Sequence, residues 1–270
     1  MKYLGLFSFI LLCSCTTNLY DELAKKDTPE AVFFEAKLQI NKQDYDAAIN
    51  LLQTLDASFL ADRQRVPVHA SAYAGRCGLV FLELLNSMQN TGSSTVLGTL
   101  MGAFNSATAA DVADCIESER IMTDDIGDES VRDGDENLFM AFNSLAKIAA
   151  ILSSLADTDD DDIADATFDQ CDATDLPEVM VRQIGTGIGV ALLSLAAVGT
   201  SYVDGAISGV QSLCDEDPNL SVFCTATDPA SFSATEVQAL RYAIGSNDFG
   251  INSCGNRDFS NCAAANPACP

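Results

Sequence analysis

The chain of 270 residues carries 39 acidic against 14 basic side chains, a formal net charge of −25, and such a surface repels phosphate backbones and excludes nucleic acid as a partner. Hydrophobic residues make up 48% of it, enough to fill one large core or two small ones. One histidine, His69, and no tryptophan leave neither a histidine-paired nucleophile motif nor broad stacking platforms for sugars, so the composition argues against an enzyme.

Lys2 precedes an apolar run from Tyr3 to Leu12, which closes on Leu12-Cys13-Ser14-Cys15. The run is too short to span a bilayer and has the charged and apolar regions of an export signal. A small residue before a cysteine at the end of such a run resembles the bacterial lipoprotein signal. The resemblance implies a signal peptide over residues 1–14, cleavage before Cys15, diacylglycerol on the Cys15 sulfur, and a polar tether over 15–27. Thr16 follows Cys15, and the absence of aspartate there resembles sorting to the outer membrane. The implied location is the outer membrane, lipid-anchored and facing the periplasm.

Thr28-Pro29-Glu30 starts a helix, with a capping threonine before a proline at the first helical position. Val32, Phe33, Ala36 and Ile40 follow helical spacing, Asn41-Lys42-Gln43-Asp44 makes a turn, and Tyr45, Ala48, Ile49, Leu52 and Leu55 form a second stripe. These residues predict a helical hairpin. Gln43-Asp44-Tyr45-Asp46-Ala47-Ala48-Ile49 resembles a tetratricopeptide (TPR) repeat, with Ala36, Tyr45 and Ala48 at that family's small, aromatic and alanine positions. Ala70 comes thirty-four residues after Ala36, and Tyr73 stands where a first helix commonly carries an aromatic. The resemblance covers 28–85 and implies a groove for a partner peptide, with Gln39, Lys42, His69 and Tyr73 as its candidate residues. Leu60 stands at the place of the usual closing proline and Gln39 at that of the first-helix aromatic, and the pattern stops past Cys77. A helical hairpin without repeat ancestry is the other reading of the same residues.

Gly78 to Leu85 is apolar and helical, and Met88 to Ala110 carries no charge, its glycines and hydroxyl residues predicting a loop and a buried small-residue helix. An acidic loop follows between Thr123 and Asn137. Leu138, Phe142, Leu145, Ala149, Leu152 and Ala156 then repeat at three and four residues, predicting an amphipathic helix. A second acidic segment runs over 157–175, and Asp175-Leu176-Pro177-Glu178 offers a helix start. Ile184 to Val203 is uncharged and of spanning length, but four glycines and the lack of a flanking basic cluster favour a buried helix packed closely through those glycines. Ser233-Ala234-Thr235-Glu236 reads as a capping box opening a helix through Ala243. The fold class is therefore all-α, with a helical domain over 28–245 and a Cys-rich tail over 246–270.

Beyond the signal segment the cysteines are Cys77, Cys115, Cys171, Cys214, Cys224, Cys254, Cys262 and Cys269. An even number in an exported chain favours disulfides, and sequence leaves their connectivity open. With three cysteines in the tail, full pairing requires at least one of them to reach outside it.

Asp157-Thr158-Asp159-Asp160-Asp161-Asp162-Ile163-Ala164-Asp165 alternates carboxylates at Asp157, Asp159 and Asp161, with Asp165 beyond. Such a set can converge on one hard cation. The pattern resembles EF-hand and thrombospondin type 3 calcium loops, which implies calcium as a bound ion. Asp162 occupies the families' turn glycine and Phe168 the bidentate glutamate, and a solvated acidic loop is the alternative.

Two functions follow as expectations. One is a lipid-anchored scaffold whose TPR-like helices bind another envelope protein or peptide. The other is a small-molecule or lipid-binding envelope lipoprotein with a calcium-stabilised loop.

Overall fold

A computed structural model describes residues 27–89, 95–104, 106–199, 221–246 and 249–251. Among these the chain forms ten α-helices and two 3-10 turns, with no strand, so the all-α expectation holds. Cys15, the tether, Cys214 and the tail cysteines Cys254, Cys262 and Cys269 lie outside the described residues.

Helix α1 (Pro29–Asn41) starts where the sequence places it, with the Thr28 hydroxyl accepting the Ala31 N–H at 3.2 Å. Gln43 takes a left-handed φ of 62° in the turn, and Asp44 caps α2 (Tyr45–Leu52). A short α3 (Ala57–Leu60) leads into α4 (Val66–Arg76). Ala36, Ala48 and Ala70 have no exposed surface, as close helix approach requires. Where α2 meets α4, a Cβ built on Gly75 would lie 2.1 Å from the Tyr45 ring. Only glycine lets that aromatic seat on the neighbouring helix.

The packing partner of α4 is not the next helix. Residues beyond Gly78 form α5 (Phe81–Gln89) and α6 (Val96–Gly102), and the chain then returns as α7 (Ala109–Asp125) to lie antiparallel along α4. A Cys77–Cys115 disulfide across a sequence separation of 38 fixes this return, and closure of a loop of that length lowers the entropy of the unfolded chain by about 4 kcal/mol. Beside it the Arg76 guanidinium holds Asp114 through Nε at 2.6 Å and Asp46 through Nη1 at 2.9 Å, so α2, α4 and α7 share one cation.

Helix α8 (Gly134–Ala156) begins with a capping box in which Asp133 and Glu136 exchange backbone hydrogen bonds. It packs against α6, α7 and α9 (Glu178–Val198), and every residue from Met140 to Ser153 is buried. The predicted solvated face is thus absent: Asn143, Ser144, Lys147 and Ser153, which make the stripe look amphipathic, are covered by neighbouring helices. The acidic stretch before it is also less solvated than its composition suggests, because Glu136 is buried and paired with Arg63 at 2.7 Å.

Helix α9 starts behind Pro177 without a side-chain cap; Asp175 instead accepts the Asp169 N–H at 2.9 Å. A Cβ on Gly187 would stand 2.7 Å from Ile148 of α8, and Gly185 and Gly189 are as tightly packed, whereas Gly199 has open space around it and ends the helix with a left-handed φ of 66°. Both α8 and α9 are long and apolar enough to cross a membrane by length and composition, and 78% and 61% of their apolar windows are buried inside the fold. Two 3-10 turns, Ser221–Cys224 and Pro229–Ser231, and the capped α10 (Ala234–Gly245) close over α9. The core is two contiguous clusters, one within α1 to α4 with inward residues of α7, α8 and α9, the other from α5 to α10.

In urea unfolding, Gly75→Ala is expected to lose about 1–3 kcal/mol from overpacking. In a Tyr45→Ala background, where the ring is gone, the same change is expected to gain up to about 1 kcal/mol from helix propensity.

Candidate functional site

The acidic loop follows directly from the end of α8. Asp157 occupies the C-cap position and turns its carboxylate inward, Oδ1 accepting the Asp161 N–H and Oδ2 the Asp162 N–H, both at 3.0 Å. Asp160 and Asp162 adopt left-handed φ of 58° and 66°, so the position held by glycine in the calcium-loop families has the glycine-like conformation here, filled by a residue type that tolerates it. The far side is tied down by Asp165, whose N–H donates to the Ala156 carbonyl at 2.6 Å and whose Oδ2 accepts the Thr158 N–H and hydroxyl.

This folding brings the carboxylates of Asp157, Asp159 and Asp165 within 4.8 Å of one another. Asp161 stands outside the group and accepts the Ile163 N–H at 3.0 Å. Burial pushes the Asp157 carboxyl pKa up, and the Asp161 and Asp159 charges push it the same way, against the two backbone N–H donors that lower it. Three hard oxygen donors so placed fit a calcium-sized cation, with backbone carbonyls or water completing the shell. Phe168 is buried in the core and supplies no oxygen.

The four groove candidates fall into two pairs. Gln39 donates to Glu35 on its own helix at 2.6 Å, and Lys42 is exposed at the end of α1. His69 and Tyr73 meet edge to face on α4, ring centroids 5.7 Å apart. Tyr73 is 9% exposed, and its hydroxyl accepts from Gln53 at 3.4 Å. No hydrogen bond, ion pair or ring contact joins one pair to the other among the described residues. The His69 Nδ1 is buried without a hydrogen-bond partner. Burial lowers the imidazole pKa, while the Glu117 and Asp125 charges of α7 act against that.

A cluster not anticipated from sequence lies between α7, α8 and α9. Lys147 has no exposed surface, and its Nζ donates to Glu119 Oε1 at 2.7 Å and to Gln183 Oε1 and Thr186 Oγ1, each at 3.2 Å. Ser144 donates to the other Glu119 oxygen at 3.0 Å. All three ammonium protons are therefore used. The available signal was that Lys147 is the only charged residue between Glu136 and Asp157; a lone charge on an apolar helix needs a partner from elsewhere in the fold. Of the cysteines, Cys77 and Cys115 pair with each other, and Cys171 and Cys224 are also disulfide-bonded.

Lys147→Met is expected to cost about 3–5 kcal/mol in urea unfolding, because Glu119 is left without its counter-charge, and adding Glu119→Gln should recover part of it. His69 has a folded pKa below its unfolded value, so the unfolded chain binds the proton more readily. Its contribution to stability is full at neutral pH and is lost as pH falls below about 6.5. Thermal melts across that range should show wild type losing more stability on acidification than His69→Gln. Compared with known proteins, the chain matches no protein family, no curated protein and no solved structure.

Proposed function

We propose that this chain is a lipid-anchored protein of the cell envelope that acts as a protein-interaction scaffold without catalytic activity. The observation that carries the reading is the order of packing: α1 with α2, α2 with α4, α4 with α7, α7 with α8 and α8 with α9, while α5 and α6 stand outside this series and α6 packs on α8. Serial antiparallel hairpins of this kind are the plan of TPR-like arrays, which present extended surfaces to peptides. In support, the small residues of the resemblance, Ala36, Ala48 and Ala70, are fully buried where helices cross, and Tyr45 seats on the next hairpin through Gly75. The anchor would be Cys15, the compartment the periplasmic side of the outer membrane, and the partner another envelope protein or peptide. Gln39, Lys42 and His69 would contact it, with Tyr73 supporting His69 from beneath.

The deciding experiment is a mild-detergent pull-down of the full lipidated chain from native envelopes. A stoichiometric envelope protein is expected, and its recovery should fall when Gln39, Lys42 and His69 are replaced by alanine. Unchanged capture by that variant removes the groove assignment.

A second reading, a small-molecule or lipid-binding lipoprotein with a calcium-stabilised loop, has one observation in its favour: the convergence of Asp157, Asp159 and Asp165. Calcium would relieve the burial and repulsion that Asp157 bears. At a hundredfold excess over its dissociation constant the ion should add about 2.7 kcal/mol of stability, read as a rise in melting temperature. Asp159→Asn, at an exposed position, should abolish the rise and leave the melt without calcium nearly unchanged.

A further inference from the structure

Apart from Lys2 and the buried Lys147, every lysine of the chain falls within one short stretch: Lys25, Lys26, Lys37 and Lys42. Residues 15–42 hold four lysines against five carboxylates, near balance, and the rest of the chain holds nearly all of the net charge of −25. Among the described residues the arginines elsewhere are committed or buried: Arg63, Arg76, Arg120 and Arg182 to carboxylates, Arg65 to the Phe59 ring and carbonyl, Arg241 to the Gln170 carbonyl, and Arg132 buried with its Nη2 on Thr123. Lys37 and Lys42 are exposed, and neither has an ion-pair partner among the described residues. On the same helix Phe34 is 61% and Leu38 36% exposed, one turn apart. The opposite side of α1, through Ala36, packs on α2 and α4; among the described residues no helix packs against the outer side.

We infer that this outer face of α1 docks on the bilayer surface, Phe34 and Leu38 entering the headgroup boundary and Lys37 meeting lipid phosphates, with Lys42, at the junction of this face and the proposed groove, adding its charge to the same end. Exposed apolar side chains flanked by unpaired lysines are the chemistry of an interfacial helix, and lysine stems can lie along the apolar zone while their ammonium groups reach phosphate. The other exposed apolar residues, such as Leu82, Ile163 and Val179, have no lysine on their elements. Charge selects the orientation: an anionic surface repels the acidic body and tolerates only the near-neutral end. The inference rests on the proposed anchor at Cys15, which the twelve residues 16–27 separate from α1 by at most about 40 Å. A face too weak to hold a free protein on a bilayer works when a tether keeps it at high local concentration.

Because the chain has no tryptophan, Phe34→Trp introduces a single indole at an exposed site. The full lipidated variant is placed in vesicles of phosphatidylethanolamine and phosphatidylglycerol carrying brominated acyl chains. Tyr242→Trp, exposed on α10, serves as a second reporter, and intact mass reads the lipid on Cys15. The expected result is blue-shifted, quenched emission from position 34, unquenched emission from position 242, and loss of the quenching when Lys37→Glu and Lys42→Glu are added. Solvent-like, unquenched emission at position 34, or equal quenching at both positions, overturns the inference. A lipidated but unquenched chain discards the face and keeps the anchor, while quenching without lipid on Cys15 keeps the face and discards the anchor. A blue shift that appears without vesicles and grows with protein concentration assigns the face to a second copy and overturns it as well.

Discussion

A lysine with no exposed surface fits a folded interior only where the surrounding helices supply hydrogen-bond acceptors for its amine. Lys147 sits near the middle of α8, and its acceptors come from two other helices: Glu119 from α7, Gln183 and Thr186 from α9. The register of three helices is thereby coupled to one ammonium group, since a one-residue slip of either neighbour strands a charge in the interior. Apolar contacts around it are plentiful and forgiving of small displacements, whereas this contact set has a single satisfied arrangement. Nearby packing agrees with that register: Asn143 donates to the Cys115 carbonyl, and Gly187 admits Ile148.

From that pinned layer the fold extends in two directions. Toward the N-terminus, α4 is bound to α7 by a disulfide and by the Arg76 pairs, and α2 and α1 are added outside it. Toward the C-terminus, α9 is enclosed by the 3-10 turns and α10, with Phe223 and Phe232 packed together at 4.7 Å. The acidic loop hangs from the last residue of α8, so the position of its carboxylates is set by a helix whose residues from Met140 to Ser153 are all buried. Carboxylates on so rigid a base would have little conformational freedom to lose if the proposed cation bound them.

What could be read in advance was what is decided locally. The Thr28 cap, the Asn41 to Asp44 turn, the buried Ala36, Ala48 and Ala70, and the Ser233 capping box each depend on residues a few positions apart. The pairing of α4 with α7 was hidden because the partner lies beyond an excursion containing two other helices, and no local pattern marks the return. Asn143, Ser144 and Lys147 misled for the same reason: polarity at helical spacing reports a wet face only if no other helix arrives to cover it. In the acidic loop, alternation along the sequence suggested that Asp157, Asp159 and Asp161 converge. Two left-handed residues, Asp160 and Asp162, break that alternation, turn Asp161 to its own backbone contact, and leave Asp165 as the third member.

The covalent link between Cys77 and Cys115 bears on how such a chain can change over time. A hairpin whose two helices are separated by a long excursion normally becomes harder to close as the excursion grows, though only logarithmically. Once the base of the excursion is sealed, that penalty falls on the unfolded state instead, and the pair of helices no longer depends on what lies between them. The pairing of α4 with α7 is thereby separated from the length of the segment between them, while Leu97, Leu100 and Met101 of α6 keep that segment seated in the core against α8. Change in that segment is then limited by the core it fills and not by the helix pair it joins.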